Sequence, residues 1–522
     1  MRSSRPWSIA LLCTVLSVMT VHSVGFSADS AAADAKAAAA AKAAEAKAAK
    51  EAARKARAAQ RAKVIAERKA KAEALKRAIA AIPRDLAWPP AGSPASEGTV
   101  TIQDDSLLEI PEAVLELRKN PEAAPFVMAK TAPKIDITFH RNLGEEPAHR
   151  RLWSSWGDIC LASDGRVYVG IGDHGHDADG DARCFLYCWD PAEKSLTQIV
   201  DMNQVVPARE GQPAWSKVHA KIDEGPDGAI YFSCTLNAGN SAGDPKYGWN
   251  ESLTGGQIYR YDPSTGETAQ FASLPPKRCT ATSLVDSERG LLWCNLEAGE
   301  GDALWALDLK TRQVVYKSDD GAVSFNRSFA MGRDGSLYFN GKDGLMRLDP
   351  ETKTITATKS SFGDSPGMRS VTRQSESGHL YGTTHGTSQL FRYHPETDRL
   401  ELLGPNWTTG MYTTVTVLSP DEKFVYYLPG AHGQAFKEGT PVVQYNIATG
   451  ERKVLAFLAD TLEQKIGYVP GGTYGIKLSA DGGTLYVNLN GHATDKLRPA
   501  NMKPIGFGLT SFAAIHIPES ER

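Results

Sequence analysis

The sequence predicts an all-β protein, a seven-bladed β-propeller of four-stranded blades, preceded by a signal peptide and a long Ala/Lys-rich helix. Two observations favour this fold. From residue 134 onward a unit of roughly 40–60 residues recurs, which is the period of propeller blades. Each unit joins a strand of small residues to an aromatic strand through a turn that usually contains Gly. Four antiparallel strands repeated in a ring form a propeller because radial closure protects the sheet edges.

The strand pair occurs seven times along the chain. The copies are DICLASDGRVYVGIG (158–172), KIDEGPDGAIYFSCT (221–235), ATSLVDSERGLLWCNLE (281–297), SFAMGRDGSLYFNG (328–341), SVTRQSESGHLYGTT (370–384), TVTVLSPDEKFVYYLPG (414–430) and GIKLSADGGTLYVNLNG (475–491). A third strand that ends in a turn, such as QIYRYDPSTGET (257–268), follows most copies. The last copy lacks this turn, so we expect KIDITFH (134–140) to supply the outer strand of its blade and close the ring.

The chain begins with a basic segment and an apolar run, WSIALLCTVLSVMTV (7–21), followed by small residues. This pattern is typical of a secretory signal peptide, which we place at residues 1–30. We therefore expect a secreted, periplasmic or cell-surface protein, either released by cleavage or held by an uncleaved anchor. The propeller is expected at residues 133–522, after a Pro-rich linker with a short helix at residues 83–132.

Residues 31–82 are rich in Ala, Lys, Arg and Glu, which are strong helix formers, and Pro83 ends the predicted helix. Two interpretations of this basic helix remain open: contact with an anionic cell surface, and a solvated spacer. The net charge of the whole chain is −3. Because residues 31–82 are basic, the rest of the chain is distinctly acidic. This charge distribution argues against a nucleic-acid-binding protein.

Six cysteines follow the signal peptide, and the sequence does not choose among their 15 pairings. They are Cys160, Cys184, Cys188, Cys234, Cys279 and Cys294. Cys184 and Cys188 are too far apart on one strand to bond each other.

Histidine recurs at one point of the repeat, in the loop after the aromatic strand. The histidine follows the aromatic residue of the strand by six positions in three blades (Tyr168 to His174, Tyr426 to His432, Tyr486 to His492) and by four positions in a fourth blade (Tyr381 to His385). Such loops lie on one face of a propeller, where they surround the channel. Neutral imidazole binds divalent transition metals and also carries protons near neutral pH. The four histidines are therefore candidate ligands of a divalent metal (Mn, Zn, Fe or Ca), or turn residues bonded to their own loops.

Three further residues enter the inner strands on the same face and are candidate catalytic residues. His219 is a candidate base, and Arg327 and Arg369 are candidates for binding a substrate carboxylate. The alternative is that each arginine pairs with a neighbouring acid. The acidic loop that holds Asp173, Asp177, Asp179 and Asp181 is either a Ca²⁺ site or a solvated loop.

The strand G-x-[IL]-Y-[FV] and the turn Y-x-P-x-T-G resemble the blades of streptogramin lyases, SMP-30 gluconolactonases and YVTN-type proteins over residues 134–520. The histidines and Gln434 are also similar in type to the metal ligands of oligogalacturonate lyase. The gluconolactonase resemblance implies a different set, Glu297, Asn237 and Asn340, although their spacing departs from that family's pattern.

These resemblances imply a metal-assisted lyase or hydrolase that acts on a sugar acid, lactone or ester. In the lyase, a metal and an arginine would hold the carboxylate while a histidine such as His219 removes the α-proton. The alternative is a non-catalytic surface propeller that binds a glycan or a protein. The expected ligand is in either case a small molecule or carbohydrate, or a protein, held at the propeller face.

Overall fold

The computed structural model describes residues 98–143, 153–173, 182–207, 214–235, 255–276, 278–297, 302–324, 326–408, 410–494 and 508–522, with five single residues between 55 and 70. The chain divides into two compact units, Met1–Arg77 and Ala78–Arg522. In the first unit the described residues are helical and exposed: Lys55, Ala59, Lys63, Ala66 and Ala70. The predicted signal peptide lies outside the described residues. Within the described ranges, no helix has the length and hydropathy needed to cross a membrane.

The second unit begins with a segment that precedes the first blade. Its elements are β1 (Val100–Ile102), a 3₁₀ helix (Asp105–Leu108), α1 (Glu112–Leu117), β2 (Val127–Met128) and β3 (Lys134–Phe139). These strands extend the later blades, since β1 pairs with β3 and β2 adds to the outer edge of the sixth blade.

The described residues then form seven separate sheets. The strands after β3 run antiparallel in each sheet and follow chain order from the inside outward, whereas β2 pairs parallel with the outer strand Arg452–Phe457. Blades one to three contain β4 (Cys160–Leu161), β5 (Val167–Gly172), β6 (Cys184–Asp190) and β7 (Ser195–Asp201); α2 (Met202–Val205); β8 (Lys217–Val218), β9 (Asp223–Glu224), β10 (Ile230–Thr235), β11 (Gln257–Tyr261) and β12 (Thr268–Ser273); β13 (Cys279–Asp286), β14 (Leu291–Glu297), β15 (Ala303–Asp308) and β16 (Val314–Lys317). In blade two, β8 and β9 are two pieces of one inner strand, because both pair with β10.

Blades four to seven follow the same plan. They contain β17 (Ala330–Met331), β18 (Leu337–Gly341), β19 (Gly344–Leu348) and β20 (Ile355–Ala357); β21 (Met368–Val371), β22 (Leu380–Thr384), β23 (Gln389–His394) and β24 (Arg399–Pro405); β25 (Val417–Leu418), β26 (Phe424–Tyr427), a 3₁₀ helix (Ala435–Glu438), β27 (Pro441–Asn446) and β28 (Arg452–Phe457); α3 (Ala459–Ile466), β29 (Tyr468–Leu478), β30 (Thr484–Ala493), β31 (Leu509–His516) and a final 3₁₀ helix (Glu519–Glu521).

The ring closes through β3. This strand pairs antiparallel with β31, with Lys134 opposite His516 and Phe139 opposite Ser511, so the start of the propeller forms the fourth strand of its last blade. The predicted all-β, seven-bladed fold and its closure by residues 134–140 are both confirmed. A buried carboxylate reinforces the closure, because Asp136 pairs with His516 (2.8 Å) and Lys194 (2.9 Å).

The hydrophobic core lies between neighbouring blades. Seven clusters of buried side chains occur, and each joins residues of two adjacent blades around the ring. The cluster between the last and first blades, for example, packs Phe512 against Trp189 at a ring-centroid distance of 5.1 Å. Because the aromatic strands fill these interfaces, the channel is left to the ends of the inner strands. None of the six described cysteines forms a disulfide.

Candidate functional site

The inner strands surround a cavity of about 340 Å³ on the propeller axis, within the size range of ligand pockets. Five of the residues that line it come from different blades: Trp156, His219, Arg327, Arg369 and Tyr474. They lie where the chain enters each inner strand, on the side of the predicted histidine loops. We call this end the channel mouth, and the opposite end, beside the turns that follow the inner strands, the turn end.

The two ends differ in charge. At the turn end each lysine has an acidic partner, since Lys477 pairs with Asp158 and Lys221 with Asp223 (2.6 Å). At the channel mouth the cations outnumber the acidic groups among the described residues. An anion entering the cavity would therefore be attracted to the mouth.

Arg369 is the most informative residue of the channel mouth. It lies in β21 and is only 3% exposed, yet no carboxylate within the described residues pairs with it. Its Nε donates to the hydroxyl of Tyr412 and its Nη1 to the carbonyl of Thr414 (3.1 Å), whereas Nη2 has no acceptor in the described part of the chain. The guanidinium stacks on Tyr412 (4.9 Å to the ring centroid) and faces Tyr474 (6.0 Å). One edge of the fork thus remains available to a ligand.

Arg327 and His219 form a pair, although they come from blades four and two. The guanidinium of Arg327 donates to the His219 ring (Nη1 to Nδ1, 2.8 Å), and Nδ1 lies 3.6 Å from Oε1 of Glu297. Burial lowers the pKa of Arg327, while the charge of Glu297 opposes this change. Burial likewise raises the pKa of Glu297, which Arg327 and Lys217 oppose. The structure therefore brings the three predicted residues His219, Arg327 and Arg369 to one cavity, although a hydrogen bond already occupies the ring of His219.

Two of the four predicted histidines come together beside Arg369. The ring of His385 lies 5.7 Å from that of Tyr412, and the ring of His432 lies 4.4 Å from it. Burial lowers the pKa of both imidazoles, and the charges of Arg369 and Arg327 lower it further. Both rings are therefore neutral at pH 7, in the form that accepts a proton.

The other two histidines are placed differently. His492 lies within β30 rather than in a loop, because that strand continues past the aromatic residue, and its ring packs edge-on against Phe436 at 5.0 Å. His174 lies outside the described residues. The same is true of Asp177, Asp179 and Asp181 of the acidic loop.

The described residues contain no group of three or more His, Cys, Asp or Glu side chains that could hold a metal. His385 and His432 together supply fewer than the three protein ligands of a catalytic zinc site, so a third ligand would have to come from elsewhere, such as His174. Metal binding by this set stays a prediction.

Elemental analysis of the purified chain tests this prediction. If His174 completes the set, we expect near-stoichiometric divalent metal in the wild type and none in a His385→Ala/His432→Ala variant. Failure to detect metal in the wild type, also after incubation with Mn, Zn or Fe, would contradict it.

One asparagine of the alternative set takes part in a contact between blades. Asn340 joins blade four to blade five, since its side chain donates to the carbonyl of Met368 and accepts from the Met368 amide, both at 2.8 Å. Asn490 joins blade seven to blade one through the backbone of Ser155 in the same way. Asn237 lies outside the described residues, which leaves Glu297 as the member of the set beside the cavity.

Sequence reasoning did not single out Lys217, Trp156, Tyr412 or Tyr474. Trp156 contacts Tyr474 (5.0 Å between centroids), and Tyr474 contacts His432 (6.1 Å), so aromatic rings and imidazoles form a continuous wall. The period-two spacing of Lys217, His219 and Lys221 was the available signal, because alternate residues of a strand share a face.

No protein-family model and no curated protein matches this chain. Solved structures with a similar fold include the "Crystal Structure of Mitotic Checkpoint Complex" (12% identity, 70% of this chain and 87% of that chain, TM-score 0.44). Another is the "Crystal structure of RRP9 WD40 repeats" (9% identity, 73% and 98%, TM-score 0.45). A third is the "Kuenenia stuttgartiensis Hydrazine Synthase" (16% identity, 52% and 74%, TM-score 0.37). Such identities and scores carry no information on the ligand or activity of this chain.

Proposed function

We propose that this propeller binds a small carboxylated molecule of the sugar-acid class at the channel mouth. The observation that carries the proposal is Arg369, which is 3% exposed and lacks a carboxylate partner among the described residues. A buried cation is costly unless it is paired and fully hydrogen-bonded. A ligand carboxylate on the open edge of the guanidinium supplies both the opposite charge and the missing hydrogen-bond acceptor.

The neighbouring charges support an anionic ligand. Arg369 lies close enough to Arg327 for its positive charge to lower the pKa of Arg327. Two nearby like charges repel each other, and burial raises the pKa of both acidic groups beside Arg327, which are Glu297 and Asp302. An anion between the arginines would relieve this repulsion.

The walls of the cavity support a ligand with an apolar face. Trp156 and Tyr474 line the cavity, and Tyr412 stacks on Arg369 beside it. Pockets that combine aromatic walls with a few oriented polar groups are typical of small-molecule sites. A sugar acid has a carboxylate for the arginines, C–H faces for the rings and hydroxyls for the imidazoles.

Isothermal titration calorimetry with the full chain tests the proposal. We expect at least one of galacturonate, glucuronate and galactarate to bind, galactose to bind at least tenfold more weakly, and added salt to weaken the acid. Galactose serves as a matched control because it differs from galacturonate by the carboxylate alone. Binding of galactose as tight as that of galacturonate, or no binding of any of the three acids, would show that the proposal is wrong.

Elimination of a uronate is a second candidate function, and the neutral imidazoles beside Arg369 favour it. A carboxylate held by Arg369 would have its α-carbon near His385 and His432, either of which can accept the α-proton. The electrons of that C–H bond would form a C=C bond as the β-C–O bond breaks, and the released alcohol oxygen would take up a proton. These imidazoles are better placed than His219, whose ring accepts from Arg327. We also propose that the protein is exported, because a signal peptide is predicted at residues 1–30.

A further inference from the structure

Lys217 is an unusual cation at the channel mouth. It lies in β8 and is only 2% exposed. Its Nζ has no hydrogen-bond partner within the described residues, although an ammonium group carries three donors. Its one described contact is with the ring of Trp156, whose centroid lies 5.4 Å from Nζ. A cation–π contact offsets only part of the cost of removing an ammonium group from water.

The surroundings of Lys217 connect it to residues that line the cavity. Trp156 contacts Lys217 on one side and Tyr474 on the other, and Tyr474 faces Arg369 at 6.0 Å. Arg327 is close enough for its charge to lower the pKa of Lys217. Lys217 therefore belongs to the same group of side chains as the two arginines.

The charges at this group are unbalanced. Lys217, Arg327 and Arg369 are cations, and the acidic side chains near them within the described ranges are Glu297 and Asp302. Burial lowers the pKa of Lys217 to about 8, with Glu297 opposing the change. The amine is therefore still protonated at pH 7. One ligand carboxylate would pair with Arg369 and leave the ammonium group of Lys217 without an anion.

We propose that the ligand of this site carries two oxyanions, the first bound by Arg369 and the second by the ammonium group of Lys217. This inference rests on the proposed function and narrows the ligand class to dicarboxylic sugar acids. Lys217 would then determine specificity, because its amine has no hydrogen bond to lose and gains up to three when the second carboxylate enters.

Galactonate and galactarate form a matched pair of probes, since both are open-chain six-carbon acids of the same configuration and differ by the second carboxylate. In calorimetry at pH 7, we expect the wild-type chain to bind galactarate at least tenfold more tightly than galactonate. The variant Lys217→Met should lose this preference and keep the wild-type affinity for galactonate. Lys453→Met is the control, because Lys453 lies in β28, does not line the cavity and is already paired with Glu521 (2.8 Å), so its replacement should leave the preference unchanged.

The outcomes separate this inference from the proposed function. If galactonate binds but galactarate binds no more tightly, or if Lys217→Met keeps the preference, the proposal of a second oxyanion is wrong and the proposed carboxylate site stands. If none of the sugar acids binds, both proposals are wrong. Should Lys217→Met not fold, Lys217→Arg replaces it, and both proteins are measured at pH 9. The wild-type amine is largely neutral at that pH, so the wild-type preference for galactarate should weaken. The arginine stays charged, so the variant should keep the preference. Equal preferences of the two proteins at pH 9 would overturn the inference.

Discussion

Replacement of Arg369 by methionine is expected to weaken the binding of a carboxylated ligand by roughly ten- to a hundredfold. A hydrogen bond to a charged group contributes about 1.5–3 kcal/mol, and each 1.4 kcal/mol corresponds to a factor of ten in affinity. Methionine fills much of the volume and can still pack against Tyr412, so the loss isolates the guanidinium. Calorimetry with the tightest-binding sugar acid measures the change.

Arg392→Met is the matched control for this prediction. Arg392 belongs to the same blade but lies in β23, away from the cavity, and its guanidinium already pairs with Glu401 (2.8 Å). We expect the control to bind as the wild type does. Arg369→Lys should keep part of the affinity, since it retains the charge but not the planar fork. Equal binding by Arg369→Met and wild type would remove the basis of the carboxylate site.

The fold could be predicted because its determinants are local and repeated. Each blade carries its own alternation, turn and aromatic strand, and seven copies of a weak signal support one another. Even the closure was predictable, because the last blade lacked a strand and residues 134–140 offered one. The additions by β1 and β2 were not predicted, since two- or three-residue strands in a Pro-rich segment carry no periodic signal.

The site was predictable only in part, because it depends on distances around the ring. Equivalent positions of all blades lie on the same face of the propeller. For this reason the sequence could predict that His219, Arg327 and Arg369 share one cavity. The repeat does not determine which neighbours a side chain contacts. His492 is drawn into a longer strand, and Arg369 stacks on Tyr412 from the next blade. Lys217 could have been found from its spacing to His219, but its lack of a hydrogen-bond partner is visible only in three dimensions.

Acid is expected to destabilise the ring closure through His140. This residue directly follows the closing strand β3, is 2% exposed, and its ring lies edge-on to Tyr187 at 4.7 Å. Burial lowers its pKa from 6.5 to about 4, and the backbone of Thr510 opposes this change only in part. Because the folded-state pKa is below the unfolded one, the unfolded chain binds the proton first. The contribution of His140 to stability is therefore complete above pH 6.5 and is lost as the pH falls towards 4.

A pKa difference of one unit between the folded and unfolded states corresponds to about 1.4 kcal/mol. His140 should therefore lower the free energy of unfolding by about 2 kcal/mol between pH 7 and pH 5. The free energy of unfolding of the wild type and of His140→Phe, measured in urea at both pH values, isolates the effect. Phenylalanine keeps an aromatic ring against Tyr187 but cannot titrate, so the variant should lose about 2 kcal/mol less than the wild type on acidification. Other histidines and carboxylates titrate equally in both proteins and cancel in the difference. Parallel losses in the two proteins would show that the closure does not sense protons through His140.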